Sequence, residues 1–321
     1  MKKHYLPSVS IVIRTLNEEK FLPECLSQIQ KQNYDGHVEV VIVDSGSTDG
    51  TEKIATTFEA KIIRISKSEF TFGRSLNLGC AASSGELLVL LSAHCIPCDE
   101  NWLLNLTTPL LQGVSEYAYG RQIPRHGVSK FSEGMVFKKY YPEHSKTPQT
   151  GFFCNNANSA ITRKTWERFR FDECLTGLED MALAKRLVAS GGTVSYVASS
   201  AVEHIHEEGW NRIKIRYERE AAALVDIEPN LNLSFMQALY LFLLSVIHDI
   251  IALDTKSLLD LGDVIRYRAS QYHGSFVGSR ASKLHINKMR SEYFYPTTQG
   301  NVVNLGDVND HNRIAADESP Q

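Results

Sequence analysis

The residue types able to do chemistry together fall in a few short stretches. Arg14-Thr15-Leu16-Asn17-Glu18-Glu19 and Asp44-Ser45-Gly46-Ser47-Thr48-Asp49-Gly50-Thr51 supply carboxylates beside small, turn-forming residues. Phe72-Gly73-Arg74-Ser75-Leu76-Asn77-Leu78-Gly79 adds a guanidinium, which suits the oxygens of a phosphate bidentately. Ser92-Ala93-His94-Cys95 and His204-Ile205-His206 offer imidazoles, and Glu179-Asp180 offers adjacent carboxylates. A carboxylate can take the proton of a hydroxyl nucleophile while cations offset the charge growing on a phosphate leaving group. Each stretch alone is ordinary. Carboxylates at a helix start are common dipole partners, and an Asp-Ser-Gly-Ser turn is a common strand-to-helix connection.

Their value depends on where the elements place them. Val9–Ile13, Glu39–Val43, Lys61–Ile65 and Leu87–Leu91 read as strands, separated by helical spacing at Phe21, Leu22, Cys25, Leu26 and Ile29, at Ile54, Ala55 and Phe58, and over 74–82. Strands alternating with helices predict an α/β fold, a mostly parallel sheet covered on both faces, with ligands beyond the carboxyl ends of the strands. The loops holding Thr15, Asn17, Glu18, Asp44, Ser45, Gly46, Ser92 and His94 then share one rim. Residues 113–153, with prolines at 124, 142 and 148, read as an irregular substrate-binding excursion. Regularity returns in a strand at Asn158–Thr162, a helix over 179–189 with a buried stripe of Met181, Ala184, Leu187 and Val188, and a strand near Thr193–Val197.

In combination these stretches are specific. They resemble the family 2 glycosyltransferases of the GT-A fold over about residues 8–205: a P-T-x-N-E-like loop, a V-D-x-G-S-x-D-G-T loop, an A-R-N-x-G helix, then N-x-A-x-R, F-D-E and E-D segments matched by Asn155 to Ile161, Phe171-Asp172-Glu173 and Glu179-Asp180. The resemblance implies a nucleotide-diphosphate sugar donor. Thr15, Glu18 and Asp44, with Asn17, Ser45, Gly46 and Ser92 in the same loops, would hold the nucleotide, and Arg74 with Asn77 would face the diphosphate. Asp180 would be the catalytic base, with Glu179 supporting it. One base and one cationic cluster predict a single in-line displacement with inversion at the anomeric carbon.

The largest departure is at the end of the fourth strand, where Ser92-Ala93-His94 stands in place of the family's D-x-D. A divalent metal, Mn²⁺ or Mg²⁺, is what the resemblance implies. Imidazole ligates Mn²⁺ or Zn²⁺ but is a poor Mg²⁺ ligand. Two readings stay open: His94 and His204 as a metal pair with His206 third, or His94 bonding a phosphate with no metal. Cys95-Ile96-Pro97-Cys98 is weak evidence for structural zinc, because no second pair accompanies it.

Composition sets the frame. The 321 residues suit one large α/β domain with an appendage, and a net charge of -3 gives no global attraction to nucleic acid. Six scattered cysteines and a start running straight into a strand fit a reduced cytoplasmic protein. The expected units are a glycosyltransferase domain over 1–210, with a donor half at 8–112 and an acceptor half at 113–210, a helical extension over 211–296, and a polar tail over 297–321. Helices are predicted over 211–226, 234–251 and 255–270. The middle one is strongly apolar but interrupted by Gln237, His248 and Asp249, and Arg266, Arg268, Arg280, Lys283, Lys288 and Arg290 follow it. It reads as a buried or membrane-surface helix rather than a spanning one, compatible with a saccharide or lipid-linked acceptor at the inner face of the cytoplasmic membrane. Two rivals are a nucleotidyltransferase, disfavoured by the lack of glycine in 14–19, and a silent nucleotide-sugar-binding domain, disfavoured by the presence of a base. Trp166 and Trp210 suit either sugar stacking or core.

Overall fold

A computed structural model describes residues 6–253 and 258–281. The polar tail and Lys283, Lys288 and Arg290 therefore lie outside the described residues. One eight-stranded sheet forms the centre, in the order β3 (Lys61–Arg64), β2 (Val38–Asp44), β1 (Val9–Thr15), β4 (Leu87–Ser92), β7 (Asn158–Thr162), β6 (Tyr117–Ile123), β8 (Val194–His204), β5 (Cys95–Pro97). The sheet is mixed rather than simply parallel: β7 runs against both β4 and β6, and β5 against β8, while the other neighbours are parallel.

The sequence explains the first half directly. Along β1 the side chains of Val9, Ile11 and Ile13 enter one apolar core while Val12 enters the other, as the period of two requires. The first core is closed by α1 (Leu22–Gln30), α2 (Thr51–Thr57) and α4 (Trp102–Leu111), through Leu26, Ala55 and Leu103. The second is closed by α3 (Phe72–Ala82), α6 (Arg163–Phe169) and α7 (Glu179–Ala189), through Leu76, Trp166 and Leu183. A Cβ at Gly79 would collide with Val12 and Val43, so this glycine lets α3 lie close on β1 and β2. The buried stripe of α7 is Leu183, Ala184 and Leu187, with Met181 and Val188 only partly buried.

Residues 113–153 correct the expectation of an irregular excursion. They contain β6, whose Tyr117, Ala118 and Tyr119 are buried, and α5 (Phe131–Tyr140). The proline and polar content that suggested a loop belongs to the connections around these elements. Trp166 is fully buried core under the guanidinium of Arg170.

Among the described residues three helices follow: α8 (Trp210–Ile227), α9 (Phe235–Ala252) and α10 (Leu258–Gly278). Gly274 and Gly278 of α10 press on the α8 backbone at Lys214 and Glu218, where a Cβ would collide. Asp249 of α9 is fully buried and receives two hydrogen bonds from Arg268 of α10, at 2.7 and 2.8 Å. The rest of α9 is the reverse of a buried helix: Phe235, Met236, Tyr240, Leu243, Ile247 and Ile251 are exposed, Ile251 to 76%.

Candidate active site

The carboxyl end of β1 is the hub. Arg14, Thr15, Asn17 and Glu18 each reach a different partner, which gathers the second loop, α7 and the histidines on one rim. Thr15 Oγ1 donates to Asp44 Oδ2 at 2.9 Å, and the other Asp44 oxygen accepts the backbone N–H groups of Gly46 and Ser47 at 3.0 and 2.9 Å. Ser47 Oγ completes the set at 2.5 Å. Asp44 is only 1% exposed and Thr15 3%. This corrects their expected role of holding the nucleotide through their side chains: the carboxylate shapes the turn, which Gly46 enters at φ 92°. Ser45 is likewise turned inward, its hydroxyl donating to the Thr15 carbonyl at 3.0 Å. Asn17, in the left-handed region at φ 58°, accepts the Thr48 N–H at 2.8 Å.

Asn77 is also corrected. Its amide donates to the Phe171 carbonyl and to Glu173, each at 2.9 Å, and its oxygen accepts from Trp166 Nε1 and the Phe171 N–H. Every donor and acceptor position is filled, so it braces α3 against the 166–173 segment and has nothing to offer a diphosphate. Arg74, one turn earlier, stays partly exposed and reaches Glu69 only at 3.8 Å. Ser92 is half-buried at the end of β4.

On the other flank Arg14 Nη1 donates at 3.2 Å both to Glu179 Oε1 and to the Phe72 carbonyl. The Phe72 ring carries the Arg14 guanidinium at 4.9 Å and that of Arg219, from α8, at 4.4 Å. Arg219 Nε is buried without a hydrogen-bond partner. Asp180 accepts the backbone N–H of Asn156 and its neighbour Met181, each at 2.7 Å. Burial, and then the adjacent Glu179 charge, push its carboxyl from 3.8 up to about 7. The residue before this pair, Leu178, is held at φ 56°, a strained conformation for a side chain of its size.

The histidines form the third part. His204 closes β8 and His206 follows two residues on, so the alternation of an extended chain sends both rings to one side. His94 lies in the turn between β4 and β5, opposite them, where Cys95 pairs with His204. Ring centroids are 4.1 Å apart for His204 and His206, 5.2 Å for His94 and His204, and 5.6 Å for His94 and His206. One ligand nitrogen from each lies within 4.8 Å of the other two. The Nδ1 atoms are taken: by Glu18 Oε1 at 3.1 Å for His94, Gln122 Oε1 at 2.6 Å for His204, and Glu133 Oε1 at 2.9 Å for His206. Burial holds His204 and His206 well below the usual imidazole range, hence neutral. Convergent, semi-buried imidazoles fit a divalent cation. Cys95 and Cys98 take no part: Cys95 is sealed in the apolar core, and the described cluster is imidazole alone.

Sequence reasoning missed Gln122, Glu133, Arg216 and Arg219. Arg216 Nη2 donates to Glu133 at 2.8 Å, backing His206 from α8. A glutamine near the end of β6 and a glutamate in the first turn of α5 carry no signal until these elements are placed beside the histidines. Glu18, assigned to the nucleotide by resemblance, turns to His94 instead.

An α/β sheet with its donors and acids on the carboxyl rim, flanked by helices and followed by a helical extension, defines a GT-A glycosyltransferase. Residues 10–169 match the model of Glycosyl transferase family 2, and the chain belongs to that family. The O-antigen chain rhamnosyltransferase WbaN of Salmonella anatum is 29% identical over 212 residues, 63% of this chain and 67% of that protein. RfbN of Salmonella typhimurium, also an O-antigen chain rhamnosyltransferase, is 25% identical over 62% of this chain and 66% of its own length. The matched stretch is thus about two thirds of each relative. The mannosyltransferase PcManGT of Pyrobaculum calidifontis, solved with GDP-Man and Mn²⁺, superposes with a TM-score of 0.58 over 86% of both chains at 18% identity, a likeness of fold.

Proposed function

We propose that this enzyme transfers a sugar, with inversion, from a nucleotide-diphosphate donor to a saccharide hydroxyl in the assembly of a bacterial surface polysaccharide. The observation that carries the reading is the reach of β1: Arg14 touches the Glu179-Asp180 pair while Glu18, four residues on, touches His94. The base-bearing helix and the imidazole cluster are therefore tied to one strand end. Asp180 takes the acceptor proton, and a carboxyl lifted toward neutrality is a stronger base than an ordinary one. The 44–51 loop frames the nucleotide, its backbone rather than the Asp44 side chain facing the donor. Arg74 is placed for the diphosphate, and Arg14 holds Glu179 in position. His94, His204 and His206 would hold a divalent cation, which when bound supplies charge to offset the leaving diphosphate. The two O-antigen relatives support a polysaccharide acceptor and a deoxyhexose as the first donor sugar to try.

Asp180→Asn tests the assignment. Transfer should fall 10²- to 10⁴-fold, on the order expected for a general base, with nucleotide affinity measured calorimetrically staying within about twofold; the amide keeps an acceptor for only one of the Asn156 and Met181 N–H groups, so a melting curve checks that the variant is folded. A fully active variant would remove the mechanism.

The exposed face of α9 supports work at a membrane surface, with the helix lying in the plane. It is about 27 Å long at 1.5 Å per residue, its only charged residue, Asp249, is paired inward with Arg268, and exposed Lys138, Lys139, Arg266 and Arg280 lie on or beside the helices it touches. An apolar groove of about 430 Å³ between α9 and α10, lined by Phe235, Leu239, Phe242, Tyr272 and Phe276, opens at the same place.

A further inference from the structure

We infer that Glu18, Gln122 and Glu133 lock the three imidazoles into one tautomer and so make a nitrogen-only site that takes late first-row divalent cations in strong preference to Mg²⁺. The inference rests on the cation site proposed above and goes on to its selectivity. A carboxylate or carboxamide oxygen only accepts, so a neutral imidazole facing one through Nδ1 must carry its proton there. All three rings do so, toward Glu18 Oε1, Gln122 Oε1 and Glu133 Oε1. With the proton on Nδ1 each Nε2 is a free lone pair, and what the cluster presents is three imidazole nitrogens with no carboxylate among them. Such a set matches the ligand preference of Co²⁺, Ni²⁺ and Zn²⁺, whereas Mg²⁺ seeks oxygen. Outer acceptors of this kind orient ligating histidines and raise their basicity.

Three different elements supply the acceptors, which makes chance alignment a poor explanation. Glu18 comes from the loop after β1, Gln122 from β6 and Glu133 from α5. Glu133 is itself fixed by Arg216 at 2.8 Å. Gln122 is the most telling of them, being 1% exposed with His204 as the partner of its oxygen while its Nε2 is buried without one. If the amide were turned over, Nε2 would face His204 and force the proton onto the ligating nitrogen. The side chain is therefore a positioning residue that the site needs in one orientation.

The test is metal binding by the full chain, stripped with a chelator and without donor or acceptor. Co²⁺ should bind at one ion per chain, read by its visible absorption, and a thousandfold excess of Mg²⁺, an order set by the ligand preference, should not displace it. Gln122→Leu should weaken Co²⁺ binding about 10- to 100-fold. Gln122→Glu, which keeps the acceptor and cannot be turned over, should bind at least as tightly as the parent, and melting curves check that both are folded. No Co²⁺ binding, ready displacement by Mg²⁺, or an unchanged affinity in Gln122→Leu would each overturn the inference. Tight Co²⁺ binding by a chain that transfers no sugar from any nucleotide donor would sink the transferase mechanism and leave the site standing.

Discussion

The Asp44 turn and the histidine cluster sit at the two sides of one rim and are built in opposite ways. Asp44 is satisfied by Gly46 and Ser47, two and three residues along the chain, and by Thr15 on the neighbouring strand. The cluster joins His94 to His204 and His206 across more than a third of the chain, and each ring leans on an acceptor 73 to 82 positions away. A local turn carries its own hydrogen-bond partners and so appears in the sequence as an unbroken motif. A long-range site is written as scattered pieces, and its acceptors Gln122 and Glu133 are unremarkable where they stand.

That contrast can be broken experimentally. Asp44→Ala strands several buried donors and should lower stability by about 3 kcal/mol, while leaving Co²⁺ affinity within a few-fold. His206→Ala should do the reverse, abolishing tight Co²⁺ binding while lowering stability by only about 1 kcal/mol. Denaturant melts and Co²⁺ titrations on both variants decide it, and a common loss in both assays would show the rim to be one unit.

A smaller effect should appear in pH dependence. With the Asp180 carboxyl pushed up to about 7 by burial and by Glu179, the transfer rate should rise through that pH as the base loses its proton. Glu179→Gln removes the neighbouring charge and should move the limb to lower pH; an unmoved limb would separate the two carboxylates. The sign for stability is opposite. Because the folded value lies above the unfolded 3.8, the contribution of Asp180 to stability is full below that pH and is lost as pH rises through about 7.

The smallest effect concerns α9. Ile247→Glu on the exposed apolar face should reduce co-sedimentation with anionic phosphatidylglycerol vesicles severalfold while leaving the melting temperature within about 2 °C, since the side chain is already in solvent. Equal sedimentation of the variant would leave that face without a lipid role.

Residue order alone made the donor half of the fold legible. Val9 to Ile13, Val41 to Val43 and Leu87 to Leu91 are short apolar runs bounded by turns, and the D-S-G-S-T-D-G-T loop follows a strand as its chemistry requires. His-Ile-His carried its own geometry, because alternation puts both rings on one side of an extended chain. Periodicity also placed α8 and α9 to within a residue or so. The buried strand β6 escaped notice because its Arg121 and Gln122 break the apolar pattern, and Gln122 is polar for a reason that lies on another strand.

Tertiary structure decided the rest. It showed that Asn77 and Asp44 hold the scaffold, that Glu18 serves a histidine, that Glu133 and Arg216 stand behind His206, and that the most apolar helix faces outward. A side chain's type sets which hydrogen bonds it can form. Which of them it does form depends on what the fold brings within about 3 Å, and that information is spread over the whole chain.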